Sequence, residues 1–354
     1  MDSGLADVVA AETVLSHSDG ERGQIWVRGR TVEELVAGDG YEGAIAILWD
    51  GFAGEGLTAA RIRADLGAAR QRAFDDLSPW CDAAARLPLG EGLRVALATL
   101  GDDSPPAAIA GAFPVAIAAL MRHARGAAPI APDPALGTAA DLLRMIAGAP
   151  AAPAVVAALD TYFIAVIDNG LSASSFAARI IASTRASLAS AVLGAYAAFT
   201  GPLHGGAPGR VLDMLDEIAA SGDIDAWIGR KLDAGERLMG FGHRVFRVRD
   251  PRADILRPAL ARLGPDAGRL AFAAEVERRV LAAFAQRKPG RRLQTNIELN
   301  AALLHEAVGL PREAFTPVFA LARSPGWIAH ALEQRKTGRM IRPKSRYVGP
   351  QPNA

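Results

Sequence analysis

The sequence predicts an all-α protein with one small β-hairpin near the N-terminus. Long stretches repeat apolar residues at helical spacing, and many of these stretches are rich in alanine. Alanine lets helices approach closely, which indicates a largely buried, many-helix core. The length of 354 residues predicts about two domains.

The hairpin is predicted over residues 12–30. Residues 12–16 and 24–28 are β-prone and are separated by Asp19-Gly20, which is a turn signal. Helical patterns begin at Thr31, where Glu34 follows three residues later. This spacing predicts a capping box, in which each residue satisfies a free amide at the helix start.

Several helices follow in order. Residues 105–121 form an apolar tract shorter than the roughly 20 residues that span a bilayer, so we expect buried helices there. Residues 126–153 predict a surface connection with one short helix around 139–146. One alanine-rich helical run covers 176–196, and further helices are predicted over 211–218 and 270–284. Residues 38–43 spell GxGxxG, but they follow a helical pattern rather than a strand, so we reject a dinucleotide site.

Composition limits the classes of function. The chain is 22% charged with a formal net charge of +1, which gives no general basis for binding nucleic acid or an anionic membrane. A single cysteine, Cys81, excludes an intramolecular disulfide framework and fits a cytoplasmic protein. The six histidines show no metal-ligand spacing, so we expect no metal. The acidic start lacks the positive charge of a signal peptide.

Residues 239–246, Met-Gly-Phe-Gly-His-Arg-Val-Phe, are the first candidate site. Gly240 and Gly242 allow close approach of a ligand, and His243 directly after them suits proton transfer near neutral pH. Arginines follow at positions 244, 247, 249 and 252 and could bind carboxylates or phosphates. The stretch predicts proton transfer on an anionic substrate; the alternative is a basic surface turn.

Two more residues are catalytic candidates. His204 lies in a turn before a predicted helix, where the helix N-terminus favours a neutral imidazole. Glu298 is the one carboxylate of a half-apolar segment, residues 293–300. Apolar surroundings raise the pKa of a carboxyl and make it a better general base. A turn histidine without a partner and an ordinary helix-start glutamate are the alternatives.

Together these segments resemble the citrate synthase family. The resemblance rests on Gly-Pro-Leu-His-Gly-Gly-Ala at 201–207, Gly-Phe-Gly-His-Arg-Val at 240–245, Asp-Pro-Arg at 250–252, the aromatic and arginine-containing block at 315–334, and Arg-Pro at 342–343. It implies a two-domain, multi-helical homodimer. Residues 1–205 and 310–354 would form a large domain, and residues 206–309 a small domain that closes over the active site.

The resemblance also implies residue roles. His204 would bind the thioester carbonyl of acetyl-CoA, Glu298 would take a methyl proton, and His243 would protonate the new alkoxide. Oxaloacetate or a related 2-oxo acid would be bound by Asn169, Arg252, Arg323 and, from the other subunit, Arg342. CoA would be bound by Arg247, Gly240 and Gly242. The CoA thioester is a substrate, so no cofactor is expected.

Three positions depart from the family pattern. Asn169 replaces a histidine that contacts oxaloacetate, Ser172 replaces an asparagine, and Glu298, one methylene longer, stands where the family has an aspartate base. Losing a charge-assisted hydrogen bond costs on the order of 1 kcal/mol or more. The resemblance therefore predicts a citrate synthase-like acyltransferase of the tricarboxylic acid cycle. The alternatives are 2-methylcitrate synthase acting on propionyl-CoA, and a non-catalytic paralogue that binds CoA or a dicarboxylate.

Overall fold

The strands form one small antiparallel sheet near the N-terminus. The computed structural model describes residues 8–205, 207–243, 246, 248–264, 267–287 and 293–350. The strand order is β1 (Ser16–Asp19), β2 (Gln24–Val27) and β3 (Arg30–Thr31). The predicted hairpin is therefore present, with a short third strand added to it.

The first strand begins at Ser16 and not at residue 12, as the β-prone sequence predicted. The amides before it bond to side chains instead of to a second strand. Val14 N donates to Glu333 Oε1 over 2.9 Å, and Leu15 N donates to Thr13 Oγ1 over 3.1 Å. Contact with the last helix of the chain therefore overrides the local strand preference.

The first half of the chain continues as helices. The predicted capping box is confirmed, because Glu34 N donates to Thr31 Oγ1 and Thr31 N donates to the Glu34 carboxylate. The helices are α1 (Val32–Val36), α2 (Gly40–Trp49), α3 (Ala59–Asp75), α4 (Cys81–Ala84), α5 (Leu89–Ala98), α6 (Pro106–His123), α7 (Thr138–Ala147) and α8 (Pro153–Ala165). The GxGxxG letters fall across the start of α2, which follows a helix rather than a strand, as the pattern predicted.

The second half is helical as well. Its helices are α9 (Ala173–Ser183), α10 (Leu188–Phe199), α11 (Ala207–Ser221), α12 (Ile224–Asp233), α13 (Pro251–Arg262), α14 (Ala267–Arg287), α15 (Ile297–Ala307) and α16 (Phe315–Thr337), with a 3-10 turn at Arg312–Ala314. The run predicted as one helix over 176–196 is two helices. Arg185 adopts a left-handed φ of 70°, and Ser187 then caps α10 by accepting from Ser190 N.

The last helix, α16, is the centre of the core. Almost all of its first 17 residues are buried, including Trp327 and Arg323. It packs against α2, α6, α8, α9, α10 and α11. Pro325 lies inside this helix and lacks an amide, and the carbonyl of Leu321 that it leaves free accepts from Tyr41 Oη over 3.2 Å.

Helix α6 is long and apolar enough to cross a membrane by length and composition. However, 72% of it is buried inside the protein, against α3, α5, α7 and α16. The core helix of a soluble protein has these properties.

In the second half of the chain, α11 and α13 both pack against α15, and α12 packs against α14. The division into domains at residues 206 and 309 stays a prediction.

Candidate functional site

Four of the predicted site residues line one cavity of about 590 Å³. They are His204, Gly240, Gly242 and Glu298. The walls come from the turn before α11, from α11 and α12, and from the segment between α12 and α13. Charged side chains also line it, namely Arg210, Asp213, Glu217, Lys231, Glu236 and Arg237.

The glycine-rich segment is pinned to the start of α15. Gly242 N donates to Gln294 O over 2.7 Å, and Asn296 N donates to Gly240 O over 2.9 Å. The Asn296 side-chain amide also donates to Gly242 O over 2.8 Å. Both glycines have left-handed φ angles, 83° and 75°, which only glycine adopts without strain. These bonds place the glycine segment beside Glu298 in the first turn of α15.

Glu298 has the properties of a general base. Asn296 caps α15 and accepts from Glu298 N over 2.9 Å. Burial raises the pKa of the Glu298 carboxyl to about 7, although the charges of Arg252 and Arg323 oppose this rise. The raised pKa that the half-apolar sequence predicted is therefore present, and such a carboxyl exchanges a proton readily at neutral pH.

His204 is a neutral imidazole in a fixed orientation. Its Nε2 lies 2.9 Å from Ser174 Oγ, and Ser174 N donates to the same nitrogen over 3.4 Å. Ser174 Oγ in turn accepts from Trp327 Nε1 over 3.0 Å. These bonds make Nε2 an acceptor, so Nδ1 carries the proton. Burial first, and Arg323 second, lower the pKa of His204 to about 4.

The sequence predicted a neutral His204, but for a different main reason. It attributed neutrality to the N-terminus of the following helix, and α11 does begin nearby at Ala207. The larger cause in the folded protein is burial against the ring of Phe199, which lies 5.0 Å from the imidazole between centroids. A neutral donor that lines the cavity can stabilise a developing oxyanion.

His243 lies beside Arg252, one of the arginines predicted to bind the substrate. Its Nδ1 accepts from Phe246 N over 3.1 Å, and its Nε2 is 3.2 Å from Arg252 Nη2. Burial and the charge of Arg252 lower the pKa of His243 to about 4, below the near-neutral value expected of an unperturbed histidine. His243 is therefore a neutral group at physiological pH.

Arg252 is held by a buried carboxylate. Asp250 Oδ1 accepts from Arg252 Nε and Asp250 Oδ2 from Nη2, each over 2.9 Å. Asp250 Oδ2 also accepts from Ile297 N over 3.0 Å, at the first residue of α15. One carboxylate thus fixes both the guanidinium and the helix that carries Glu298.

Arg323 reaches the same region from the core helix α16. It is 2% exposed, its Nε donates to Val166 O over 2.5 Å, and its guanidinium lies 5.2 Å from the centre of the Phe319 ring. Burial lowers the pKa of Arg323 to about 10, while Asp168 opposes the change. Its charge acts on His204 and Glu298, so the structure brings both arginines into the electrostatic environment of the cavity.

Asn169 lies in the connection between α8 and α9. Its Oδ1 accepts from Ser18 Oγ on β1 over 2.7 Å. A second substituted position, Ser172, caps α9 and accepts from Ser175 N. This connection runs close to Arg323, because Val166 and Asp168 interact with that arginine.

Arg342, among the described residues, does not line the cavity. Arg342 is exposed on the chain after α16, where the neighbouring Ile341 N donates to Ser183 Oγ over 3.0 Å. Arg247 lies outside the described residues. Among the described residues, no group of three or more His, Cys, Asp or Glu side chains could hold a metal ion.

The structure adds residues that sequence reasoning missed. Asp250 and Ser174 orient Arg252 and His204. Tyr162 on α8 is fully buried, and its hydroxyl has no hydrogen-bond partner among the described residues. Burial, and to a smaller extent the charge of Glu298, raise the pKa of Tyr162. Asp250 was visible beside the arginine at 252, whereas the other two depend on contacts between distant segments.

Comparison with known proteins gives a consistent result over the whole chain. The family model for the C-terminal domain of citrate synthase matches residues 4–344. A putative citrate synthase 2 of Mycobacterium tuberculosis is 36% identical, covering 99% of this chain and 94% of that protein. A citrate synthase of Haloferax volcanii is 35% identical, covering 98% and 95%. A 2-methylcitrate synthase of M. tuberculosis is 34% identical, covering 98% and 90%.

Solved structures agree. Citrate synthase from Thermotoga maritima is 30% identical with a TM-score of 0.88, covering 100% of this chain and 97% of that one. Citrate synthase from Thermoplasma acidophilum was solved as a ternary complex with carboxymethyl coenzyme A and oxaloacetate. It is 26% identical with a TM-score of 0.88, covering 100% of this chain and 97% of that one.

Proposed function

Because this chain belongs to the citrate synthase family, we propose that it condenses acetyl-CoA with oxaloacetate and hydrolyses the thioester, releasing citrate and CoA. One observation carries the proposal. A carboxyl with a pKa of about 7, Glu298, and a neutral imidazole, His204, line the same cavity, as deprotonation beside a thioester requires.

In the first step Glu298 takes a proton from the methyl group of acetyl-CoA. The electron pair of that C–H bond forms a carbon–carbon double bond, and the π electrons of the carbonyl move to the thioester oxygen, which gives an enolate. His204 donates from Nδ1 to this oxygen, and Ser174 holds the ring by its other nitrogen. An oriented base and an oxyanion donor must act together, because neither alone makes the carbon acidic enough.

In the second step the enol carbon attacks the keto carbon of oxaloacetate, and His243 donates a proton to the resulting alkoxide. In this step the proton leaves from Nε2, because Nδ1 accepts from Phe246 N and Arg252 Nη2, which can only donate, turns from Nε2 to the substrate oxygen. Arg252 Nη2 lies 3.2 Å from Nε2. A substrate oxygen bound between these two groups would accept from both. Water then hydrolyses the citryl thioester.

The substrate-binding roles form part of the same proposal. Arg252 and Arg323 bind the carboxylates of the 2-oxo acid, with Arg342 contributed by the second subunit of a homodimer. Arg247, Gly240 and Gly242 bind CoA. We propose that residues 206–309 close over the cavity and exclude water until the new carbon–carbon bond has formed. The cytoplasmic location and the absence of a cofactor stay predictions.

A 2-methylcitrate synthase that uses propionyl-CoA is the second candidate. It is supported by a 2-methylcitrate synthase relative that is 34% identical, close to the 35% of the H. volcanii citrate synthase. One additional methylene changes binding in an apolar pocket by only about 1–3 kcal/mol. The third candidate, a non-catalytic paralogue, is favoured by Asn169 and Ser172 and opposed by His204, His243 and Glu298.

A thiol-release assay distinguishes the three candidates. Purified protein is given acetyl-CoA or propionyl-CoA with each of a panel of 2-oxo acids, and free CoA is measured. We expect the highest kcat/KM with acetyl-CoA and oxaloacetate. A higher value with propionyl-CoA would support the second candidate, and no turnover with any pair would support the third.

A further inference from the structure

Strand β1 presents two serine hydroxyls to the connection between α8 and α9. Ser16 and Ser18 are two residues apart, so their side chains lie on the same face of the strand. Ser16 Oγ donates to Asp168 Oδ2 over 2.5 Å and accepts from Gly170 N over 2.8 Å. Ser18 Oγ donates to Asn169 Oδ1 over 2.7 Å. We call these three hydrogen bonds the serine brace.

The residues on either side of Asn169 are anchored in the core. Asp168 is 1% exposed, and its Oδ2 also accepts from His330 Nε2 over 3.2 Å. His330 Nδ1 in turn accepts from Arg179 Nε over 2.9 Å, which fixes the tautomer with the proton on Nε2. The backbone that carries Asn169 is therefore held from α16 and from β1 together.

The brace sets which end of the Asn169 amide is available. An asparagine side chain has an oxygen that accepts and an NH2 group that donates. The Ser18 hydroxyl donates to Oδ1, so the accepting end of the amide faces β1, and Nδ2 has no hydrogen-bond partner among the described residues. The same connection contacts a guanidinium three residues earlier, where Val166 O accepts from Arg323 Nε.

We propose that Ser18 is a positioning residue for the 2-oxo acid. It directs the Asn169 NH2 group to an oxygen of that substrate, and the Ser18–Asn169 pair thereby replaces a charged contact with a neutral, oriented donor. The inference rests on the proposed function, because it requires a 2-oxo acid bound beside Arg323. It assigns a substrate-directing role to the N-terminal sheet, which lies outside the cavity-lining segments.

The test is a double-mutant cycle on Ser18 and Asn169. Ser18→Ala frees the amide to rotate, so we expect the Kd and KM for oxaloacetate to rise about 3- to 10-fold, the worth of one hydrogen bond. The kcat and the KM for acetyl-CoA should change by less than about twofold, since neither depends on the donated bond. Calorimetric titration with oxaloacetate gives the Kd, and the thiol-release assay gives the kinetic constants.

Coupling distinguishes orientation from mere structural support. In an Asn169→Ala background, Ser18→Ala should produce no further rise in Kd, because no amide is left to orient. Ser18→Thr retains a hydroxyl and should restore affinity. Ser221→Ala is the matched control: it removes a serine hydroxyl bonded locally to Ile218 O and should leave the Kd unchanged.

Three results would overturn the proposal. They are an unchanged Kd in Ser18→Ala, an equal additional loss in the Asn169→Ala background, and a wild-type protein that binds no 2-oxo acid. Wild-type protein that binds oxaloacetate but gives no turnover contradicts only the proposed function. The same Kd comparison then still decides the role of Ser18.

Discussion

Glu298 combines two demands at one residue: it must be buried enough to be basic and still line a cavity. We expect Glu298→Gln to lower kcat by about 10²- to 10⁴-fold, the usual contribution of a general base. Glu298→Asp, which keeps a carboxylate, is the control and should retain more activity. Equal activity of Glu298→Gln and wild type would remove Glu298 as the base. The melting temperatures of all three proteins check that the fold is intact.

The same carboxyl predicts the pH dependence of activity. A base must be ionised to accept a proton, so kcat/KM should rise with pH through about 7, the pKa of Glu298. The sign for stability is opposite. Between the unfolded value of 4.5 and about 7 the folded protein retains a proton that the unfolded chain releases, so the contribution of Glu298 to stability falls as pH rises. A pH profile of kcat/KM that is flat from 5.5 to 8.5 would contradict this assignment.

Asn169 is one of the positions at which the sequence departs from the expected family pattern. Asn169→His places an imidazole where we propose that the 2-oxo acid binds, and we expect the KM for oxaloacetate to fall by about tenfold. Steady-state kinetics at fixed acetyl-CoA measure the change, with Asn169→Gln as the control that keeps an amide. A KM that is unchanged or higher would show that Asn169 does not face the 2-oxo acid.

At the scale of single elements, local sequence predicted helix starts well. The capping box of Thr31 and Glu34 follows from residues three positions apart. The bonds that orient the site do not. Ser18 and Asn169 are 151 positions apart, and Ser174 and His204 are 30 apart. No local pattern encodes such pairs, so they become visible only in the folded chain.

Asp160 on α8 has a buried carboxyl that contacts the start of α2 and provides a test of stability. Asp160 Oδ2 accepts from Tyr41 N over 3.1 Å, and burial together with the charge of Glu42 raises the pKa of Asp160 to about 7. The folded state therefore keeps a proton between pH 3.8 and about 7, and stability from this group falls as pH rises through that window.

Asp160→Asn removes the ionisation while retaining an oxygen for Tyr41 N. We expect its free energy of unfolding, relative to wild type, to increase by about 1–2 kcal/mol between pH 5 and pH 8. Urea unfolding at the two pH values measures the difference. A variant whose relative stability is the same at both would show that Asp160 is not a buried, protonated carboxyl.

At the scale of the whole molecule, the fold is all-α and citrate synthase-like with a small N-terminal sheet, as the sequence predicted. The expected homodimer gives a further prediction, because Arg342 is assigned to the partner's active site. Glu298→Gln and Arg342→Ala proteins should each be nearly inactive. A mixed dimer has one complete site, with Glu298 from one chain and Arg342 from the other.

Random exchange of subunits between these two variants should restore about a quarter of wild-type activity, since half of the dimers are mixed and each has one complete site of two. Mixing is carried out after reversible dissociation, and thiol release is measured before and after. The control is each variant taken through the same treatment alone. No gain on mixing would place Arg342 in the site of its own chain.

The position of α16 in the chain has a consequence for synthesis. This helix is the centre of the core, yet it spans Phe315–Thr337, and its Glu333 also binds the amide of Val14. The helices made first therefore cannot bury their apolar faces fully until α16 has left the ribosome. We expect long-lived nascent chains with exposed apolar surface, and hence a dependence on chaperones during expression.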